Sequence, residues 1–279
     1  MSELVRDALF VGGTSLAHAG IDTAVLDAEL LLAHVLGIPR GRLLPAQPIT
    51  DGQRAEFERL VARRTAREPL QHVVGDAAFR HVVVPVGAGV FVPRPETELL
   101  VDAVLPTLRA AAEPVAVDLC SGSGALALAL ADEVPGARVV ALERPGSALD
   151  WLTRNTAQTR VEVVGADVAD ADALAGLRAG VDAVVCNPPY VPAATEVGAE
   201  VRFDPPEAVF AGPEGLDLMS TVIARAAELL HSGGVLAVEH DETHAESVPA
   251  LLRAHGAFVD VTDNLDLAGR PRYATATRT

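Results

Sequence analysis

The stretch AVDLCSGSGALALALA, residues 116–131, carries the clearest fold signal in the chain. It begins as a buried strand and ends as an apolar helix, and Gly122 and Gly124 between them permit a tight turn. The first turn of such a helix offers unpaired N–H groups to a ligand. The stretch therefore predicts a strand, turn and helix with a small-molecule site at the turn. Because residues 122–127 also fit the dinucleotide fingerprint, a nicotinamide cofactor remains an alternative ligand at this point.

Strands and helices continue to alternate after this unit, which is typical of a parallel sheet with helices on both faces. The predicted strands are Val115–Leu119, Arg138–Glu143, Val161–Val164, Val181–Val185, Val235–Glu239, Phe258–Thr262 and Tyr273–Thr277. Helices are predicted near residues 124–132, 147–156, 170–178 and 216–231. The connection between the last two strands is too short for a helical crossover, so they are expected to pair antiparallel. The expected fold is α/β, a seven-stranded mostly parallel sheet with an antiparallel last strand.

The region before this sheet shows helical periodicity without strand signals. One helix is predicted within TAVLDAELLLAHVLG, residues 23–37, with Gly37 and Pro39 as stop signals. A second helix is predicted from Asp51, as its N-cap, to a point before Pro69. These segments predict a small helical bundle.

Between the bundle and the sheet, residues 72–92 contain short β-branched runs broken by Gly and Pro, which favour a β-hairpin. We therefore divide the chain into a helical domain at residues 1–71, a hairpin linker at 72–93 and an α/β domain at 94–279.

Composition limits the classes of function. The chain has 279 residues, is 49% hydrophobic and carries a net charge of −16. Its apolar stretches are too short to cross a bilayer and its N-terminus has no cationic leader, so we expect a cytoplasmic protein. Residues 1–85 hold nine Arg and ten acidic residues, so −15 of the charge lies in the rest of the chain. An acidic body disfavours nucleic acid as a partner.

Two small groups of side chains have ordinary interpretations. Cys120 and Cys186 cannot form a disulfide scaffold and have no metal-ligand spacing, so no metal is expected and both are interpreted as small buried residues. Five arginines gather on the second predicted helix, where either a solvated face or a docking surface is possible. They are Arg54, Arg59, Arg63, Arg64 and Arg67.

Two acids follow neighbouring strands and favour an adenosine-containing cofactor. Glu143 ends the second strand, 19 residues after Gly124, where a carboxylate can accept both ribose hydroxyls. Asp167 follows the third strand and could accept from an adenine amino group, although an Asp at that place equally suits a turn.

The fourth strand ends in Asn187-Pro188-Pro189-Tyr190, which points to chemistry on a planar NH2 group. The nitrogen of such a group is a poor nucleophile until acceptors hold its two N–H bonds. The Asn187 side-chain oxygen and the Pro188 carbonyl can supply both acceptors and stabilise the charge that forms during methyl transfer. The prolines stiffen this segment, and Tyr190 can stack on the flat group.

With these residues in place, the chain resembles the HemK/PrmC family, S-adenosylmethionine-dependent methyltransferases of the GGQ glutamine of class-1 peptide chain release factors. The motifs that carry the resemblance span nearly the whole length. They are DAELLLAHVLG, REPLQHVVG, FVPRPETELLV, VDLCSGSGALALALA, NPPYVP, GPEGLDLM and DLAGRPRYATA. NPPY alone also occurs in adenine-N6 methyltransferases, whereas VPRPETE is more specific to the family.

The resemblance implies a role for each site residue. The methionine part of S-adenosyl-L-methionine would contact Asp118, Cys120, Ser121, Gly122, Ser123 and Gly124. Glu143 would bind the ribose, Asp167 and Val168 would flank the adenine, and Asn187 would also lie beside the cofactor. The glutamine would be bound by Asn187, Pro188, Pro189, Tyr190, Phe91 and Arg94, with catalysis assigned to Asn187, Pro188 and Tyr190. The partner implied is a release factor, bound without nucleic acid or membrane by a monomeric enzyme.

The sequence departs from the family pattern at Cys120 and Glu143, where Gly and Asp are more usual, and in VEHDETHAESV, residues 238–248. Three alternatives remain open: amino methylation of adenine or guanine in nucleic acid after base flipping, a nicotinamide-dependent oxidoreductase, and a non-catalytic adapter that docks a translation factor.

Overall fold

The computed structural model describes residues 4–144 and 146–279. These residues form two compact units. One contains the chain up to Asp76 together with Val197–Phe203, and the other contains Ala77–Glu196 and Asp204–Thr279. The domain boundaries at residues 71 and 93 stay predictions.

The first unit is helical. Its helices are α1 (Val5–His18), α2 (Ala24–Leu36), α3 (Asp51–Thr65) and the short α4 (Leu70–Val74). Its core is formed by the apolar faces of these helices, and its largest fully buried side chains are Leu16, Leu31, Leu32 and Leu60. Burial of these faces holds together helices that would be marginal alone.

The helix ends follow local chemistry. Gly37 ends α2 in the left-handed conformation, with φ 62°, as its position predicts. The N-cap predicted at Asp51 was wrong by one residue, because Thr50 takes that place: its Oγ1 accepts from the Gln53 N–H at 3.2 Å. The Gln53 side chain accepts from the Thr50 N–H in return, so the two residues form a capping box.

Each of the five clustered arginines has an acidic partner within the same unit. The pairs are Arg54–Glu58, Arg59–Glu56, Arg63–Glu68, Arg64 with Asp27 and Glu200, and Arg67–Glu200. The positive charges of this cluster are therefore balanced locally, which argues against a cationic docking surface. The cluster is not a wholly solvated face either, because Arg64 is buried.

The predicted hairpin exists but is shorter than expected. Its strands are β1 (Asp76–Phe79) and β2 (Val82–Pro85), which form a two-stranded sheet. Extended structure does not begin at His72, which lies in α4. Pro69 precedes this helix with a fixed φ of −52°, and Gly75 ends it at φ 91°, so local signals enclose one helical turn.

The second unit is built on one twisted sheet. Its strands are β3 (Val115–Leu119), β4 (Arg138–Glu143), β5 (Glu162–Gly165), β6 (Val181–Cys186), β7 (Leu230–Glu239), β8 (Phe258–Leu265) and β9 (Pro271–Arg278). Their order is β5-β4-β3-β6-β7-β9-β8. Strands β3 to β7 pair in parallel, and β9 pairs antiparallel with both β7 and β8, which confirms the predicted fold.

Helices cover both faces of this sheet, which buries two apolar layers. The helices are α5 (Glu98–Ala110), α6 (Ala125–Glu133), α7 (Ser147–Thr156), α8 (Pro206–Val209), α9 (Met219–Leu229) and α10 (Ser247–His255). In the described part of the chain, no helix combines the length and apolar character that crossing a membrane requires.

The helix predicted at residues 170–178 was wrong, since this segment holds only a 3-10 turn, Ala175–Leu177. The Asp170 side chain accepts from the Asp172 N–H at 3.0 Å, and Asp167 does the same for Ala169 at 2.8 Å. Aspartate side chains that bond backbone N–H groups two residues ahead stabilise turns instead of helices.

Candidate active site

The glycine-rich turn connects β3 to α6 at the carboxyl edge of the sheet. Cys120, Gly122 and Gly124 all have positive φ, at 58°, 56° and 86°. Gly124 is also confined by packing, since a Cβ there would lie 2.7 Å from Leu152 Cδ1. A Cβ built at Gly122 would have no described atom within 4 Å. The turn is thus anchored at Gly124 and open at Gly122.

A cavity of 430 Å3 lies over this turn, entirely within the second unit. The residues at the ends of β3, β4, β5 and β6 meet there because parallel strands present their carboxyl ends at one edge. The sequence-predicted residues that line it are Phe91, Cys120, Ser121, Gly122, Ser123, Glu143, Asp167, Val168, Asn187 and Pro189. Asp118, Gly124, Pro188, Tyr190 and Arg94 are not among its lining residues.

Glu143 projects from the end of β4 into the cavity wall. One carboxylate oxygen accepts from the Gly122 N–H at 2.8 Å and the other from the Arg144 N–H at 3.1 Å. Burial raises the pKa of Glu143, and these two bonds oppose that effect. A carboxylate has about four lone-pair positions, so the side chain can still accept further hydrogen bonds from a ligand.

Asp167 makes the turn bond that was one of its two predicted roles, while its contact with an adenine stays a prediction. Its side chain makes the turn bond to Ala169 described above, and the residue also lines the cavity. The neighbouring Val168 is buried and lines the same wall, which gives this side of the cavity one polar and one apolar surface.

Asp118 lies beneath the turn and is fully buried. Its Oδ2 accepts from the Ala127 N–H at 3.2 Å, while Oδ1 has no hydrogen-bond partner among the residues that the structure describes. Burial raises the pKa of this carboxyl to about 8. Because removing a carboxylate from water without a counter-charge is unfavourable, the proton stays on it at neutral pH.

Asn187 begins a chain of hydrogen bonds that the sequence did not reveal. Its Nδ2 donates to Thr97 Oγ1 at 3.0 Å, and Thr97 donates to Glu239 Oε2 at 2.7 Å. The Tyr190 hydroxyl donates to the other oxygen of Glu239 at 2.8 Å. Burial and the charge of Glu239 raise the pKa of Tyr190. Two features of the sequence could have indicated these residues: Thr97 lies in the PRPETE motif, and Glu239 lies at the end of a core strand.

Phe91 and Arg94 precede α5. The Arg94 guanidinium carbon lies 4.8 Å from the centre of the Phe91 ring, and its Nη2 pairs with Asp204 at 2.5 Å. Asp204 is buried and also accepts from the Val92 N–H at 3.1 Å. Arg94 thus fixes the segment that carries Phe91 into the cavity wall.

The long loop after Tyr190 also contributes to the cavity. Pro205, Glu207, Ala208 and Phe210 line it, and these residues lie in or beside α8. The later part of this loop therefore lies against the cavity.

The strand order and the site at the carboxyl edge of β3, β4 and β6 define the Rossmann-like methyltransferase fold. A solved structure of the hMettl16 catalytic domain in complex with the MAT2A 3'UTR hairpin 6 shares this fold, with a TM-score of 0.55, 14% identity and 82% of each chain covered. Two family models match the chain: "PrmC N-terminal domain" over residues 7–75 and "Methyltransferase small domain" over residues 88–202.

Comparison with similar proteins identifies the family within this class of methyltransferases. The chain is 48% identical over 276 residues to a release factor glutamine methyltransferase of Mycolicibacterium smegmatis, covering 98% of both chains. It is 46% identical to the protein of that name from Streptomyces coelicolor, over 94% of this chain and 93% of the other. The chain belongs to the release factor glutamine methyltransferase family. Membership in this family supports methyl transfer over the oxidoreductase and adapter alternatives.

Proposed function

We propose that this protein transfers the methyl group of S-adenosyl-L-methionine to the side-chain amide nitrogen N5 of the glutamine in the GGQ motif of class-1 peptide chain release factors. The observation that carries the proposal is the position of Asn187 in the wall of the cavity that also contains the glycine turn and Glu143. Similarity over nearly the whole length to relatives named for this reaction supports the choice of substrate.

The residues around the cavity fit an adenosyl cofactor. The volume, 430 Å3, lies within the range of small-molecule sites, roughly 300–1,000 Å3. Glu143 has lone pairs left for ribose hydroxyls, and Asp167 and Val168 offer the polar and apolar contacts that an adenine ring requires. We assign the methionine part to the turn from Cys120 to Gly124, with Asp118 beneath it.

S-adenosyl-L-methionine, when bound, supplies an electrophilic methyl group on a sulfonium centre. The protein's task is to make the amide nitrogen of glutamine nucleophilic. Asn187 Oδ1 and the Pro188 carbonyl accept its two N–H bonds, which aims the lone pair and stabilises the positive charge that develops on nitrogen. The methylated nitrogen then releases one of its protons to water, and since the charged nitrogen is a strong acid, no strong base is needed.

The remaining site residues shape the glutamine pocket. The fixed φ of Pro188 and Pro189 holds the acceptor carbonyl in place. Tyr190, tied to Glu239 by its hydroxyl, keeps its ring beside that segment. Phe91 contributes an apolar wall, and Arg94 holds Phe91 in position through Asp204.

The proposal also covers the partner, the oligomeric state and the cellular compartment of the enzyme. The substrate is the release factor as a protein, without nucleic acid, and the enzyme acts as a monomer in the cytoplasm. A net charge of −16 supports the exclusion of nucleic acid. Light scattering coupled to size-exclusion chromatography measures the oligomeric state directly.

The decisive experiment supplies labelled S-adenosyl-L-methionine with a purified release factor. We expect label in the wild-type factor and none in a factor whose GGQ glutamine is replaced by alanine. Asn187→Ala should lower kcat by about 100-fold or more, since it removes one oriented polar group at the reacting centre. Equal labelling of the Gln→Ala factor, or preferential labelling of RNA or DNA, would reject the proposal.

A further inference from the structure

The side-chain amide of Asn187 has two ends with opposite hydrogen-bonding character. Only the oxygen end can accept an N–H bond from a substrate amide, so catalysis depends on which end faces the cavity. Hydrogen-bond partners decide the orientation of such a side chain. In this protein the partner is Thr97, whose Oγ1 lies 3.0 Å from Asn187 Nδ2.

Thr97 has one hydroxyl proton, and Glu239 determines where it goes. Glu239 Oε2 lies 2.7 Å from Thr97 Oγ1 and accepts its hydroxyl proton in a hydrogen bond. The other oxygen, Oε1, is occupied by the Tyr190 hydroxyl at 2.8 Å. The proton of Thr97 is therefore directed to Glu239, and only lone pairs of Thr97 face Asn187.

The sheet explains why residues distant in the sequence can form this chain of bonds. Cys186 pairs with Val238 in the parallel register of β6 and β7, so Asn187 and Glu239 leave the two strands at the same level. Thr97 and Glu239 are 4% and 1% exposed, so little water competes with the bonds.

We propose that Thr97 and Glu239 are positioning residues: Glu239 fixes the Thr97 hydroxyl as an acceptor toward Asn187, which turns the Asn187 carbonyl oxygen toward the substrate amide. This inference rests on the proposed function, because it assigns the orientation of the acceptor in that reaction. If Thr97 donated to Asn187 instead, the amide would present its NH2 end to the substrate NH2 group, and donor would meet donor.

The test compares Thr97→Val, which keeps the shape and removes both hydrogen bonds, with Thr97→Ser, which keeps the hydroxyl. For Thr97→Val we expect kcat to fall by about 10-fold to 100-fold, as for loss of outer partners that orient a functional side chain. The KM for the release factor and the affinity for S-adenosyl-L-homocysteine should change by no more than about twofold, and Thr97→Ser should restore most of kcat. Thr156→Val is a matched control, since Thr156 is also buried and donates within its own helix, to the Leu152 carbonyl at 2.8 Å.

A double-mutant cycle separates positioning from general damage. If Thr97 acts through Asn187, Thr97→Val should have no further effect on kcat in an Asn187→Ala background. An equal fall of kcat in both backgrounds, or a Thr97→Val enzyme with wild-type kcat, overturns the proposal.

A readout independent of activity follows the Asn187 side-chain amide by 15N NMR, with its resonances located by their loss in Asn187→Ala. We expect Thr97→Val to shift these resonances and speed their exchange with water, while Thr97→Ser and Thr156→Val leave them nearly unchanged. Unchanged resonances in Thr97→Val overturn the inference. Absence of methylation by the wild-type protein rejects the proposed function instead, and the NMR comparison still decides the orientation.

Discussion

The buried carboxyl of Asp118 should make the stability of the sheet unit depend on pH, and Asp118→Asn should remove that dependence. In the folded protein burial raises the pKa of this group to about 8, whereas its ordinary value is 3.8. Between these values the folded chain keeps a proton that the unfolded chain has lost. The unfolding free energy therefore falls as pH rises through this range.

The magnitude follows from one proton. Over the range between the two pKa values, the free energy of unfolding should decrease by about 1.4 kcal/mol per pH unit because of Asp118 alone. From pH 5 to pH 7, the stability of Asp118→Asn relative to wild type should thus increase by about 3 kcal/mol. Glu143 and Glu239 also have raised pKa values, but they contribute to both proteins and cancel in the difference.

The assay is urea unfolding of both proteins at pH 5, 6 and 7, without added ligand. The single tryptophan, Trp151, lies on α7 in the same unit as Asp118, so its fluorescence reports on the relevant part of the molecule. Asp150→Asn is the matched control, because Asp150 is exposed and lies next to Trp151 in the sequence. A stability difference between Asp118→Asn and wild type that stays constant from pH 5 to pH 7 would refute the reasoning.

Two further predictions concern packing and a buried ion pair. Gly124→Ala should destabilise the sheet unit by about 2–4 kcal/mol, because the new Cβ is strained at a left-handed φ and also contacts Leu152. Gly122→Ala, whose Cβ would have no described atom near it, should lose only the about 1–2 kcal/mol of strain. Equal losses of unfolding free energy in urea would contradict this prediction. Arg64→Met should cost about 3–5 kcal/mol, because it leaves Asp27, 2.8 Å away, buried without its partner. Arg59→Met, which breaks an exposed pair, should change thermal unfolding by circular dichroism little, and a similar effect of both variants would contradict this prediction.

The parts of the site that could be predicted from the sequence are those formed by short contiguous segments. Glu143 ends a strand, and the glycine turn and the Asn-Pro-Pro-Tyr segment each follow one. Parallel pairing of β3 with β4 and β6 brings these strand ends together at one edge of the sheet. The antiparallel pairing of the last two strands followed from the length of their connection in the same way.

The missing parts depend on contacts between distant residues. Thr97 and Glu239 are 142 positions apart, and Arg94 and Asp204 are 110 apart, so no local pattern connects them. The error at residues 170–178 had another cause: a helix was predicted between two strands, whereas aspartate side chains bond the backbone into turns there. The alternation of strands and helices does not reveal this competition between side chains and the helical backbone.

The pairing of Leu119 with Cys186 in β3 and β6 has a consequence for how this enzyme can vary. Successive strand residues face opposite sides, so removing a single residue from β6 would invert every side chain ahead of Asn187 or draw Asn187 itself back into the sheet. Insertions in the surface loops leave this spacing intact. Length changes within β6 should therefore abolish catalysis even in a chain that still folds, whereas the loops remain free to diverge.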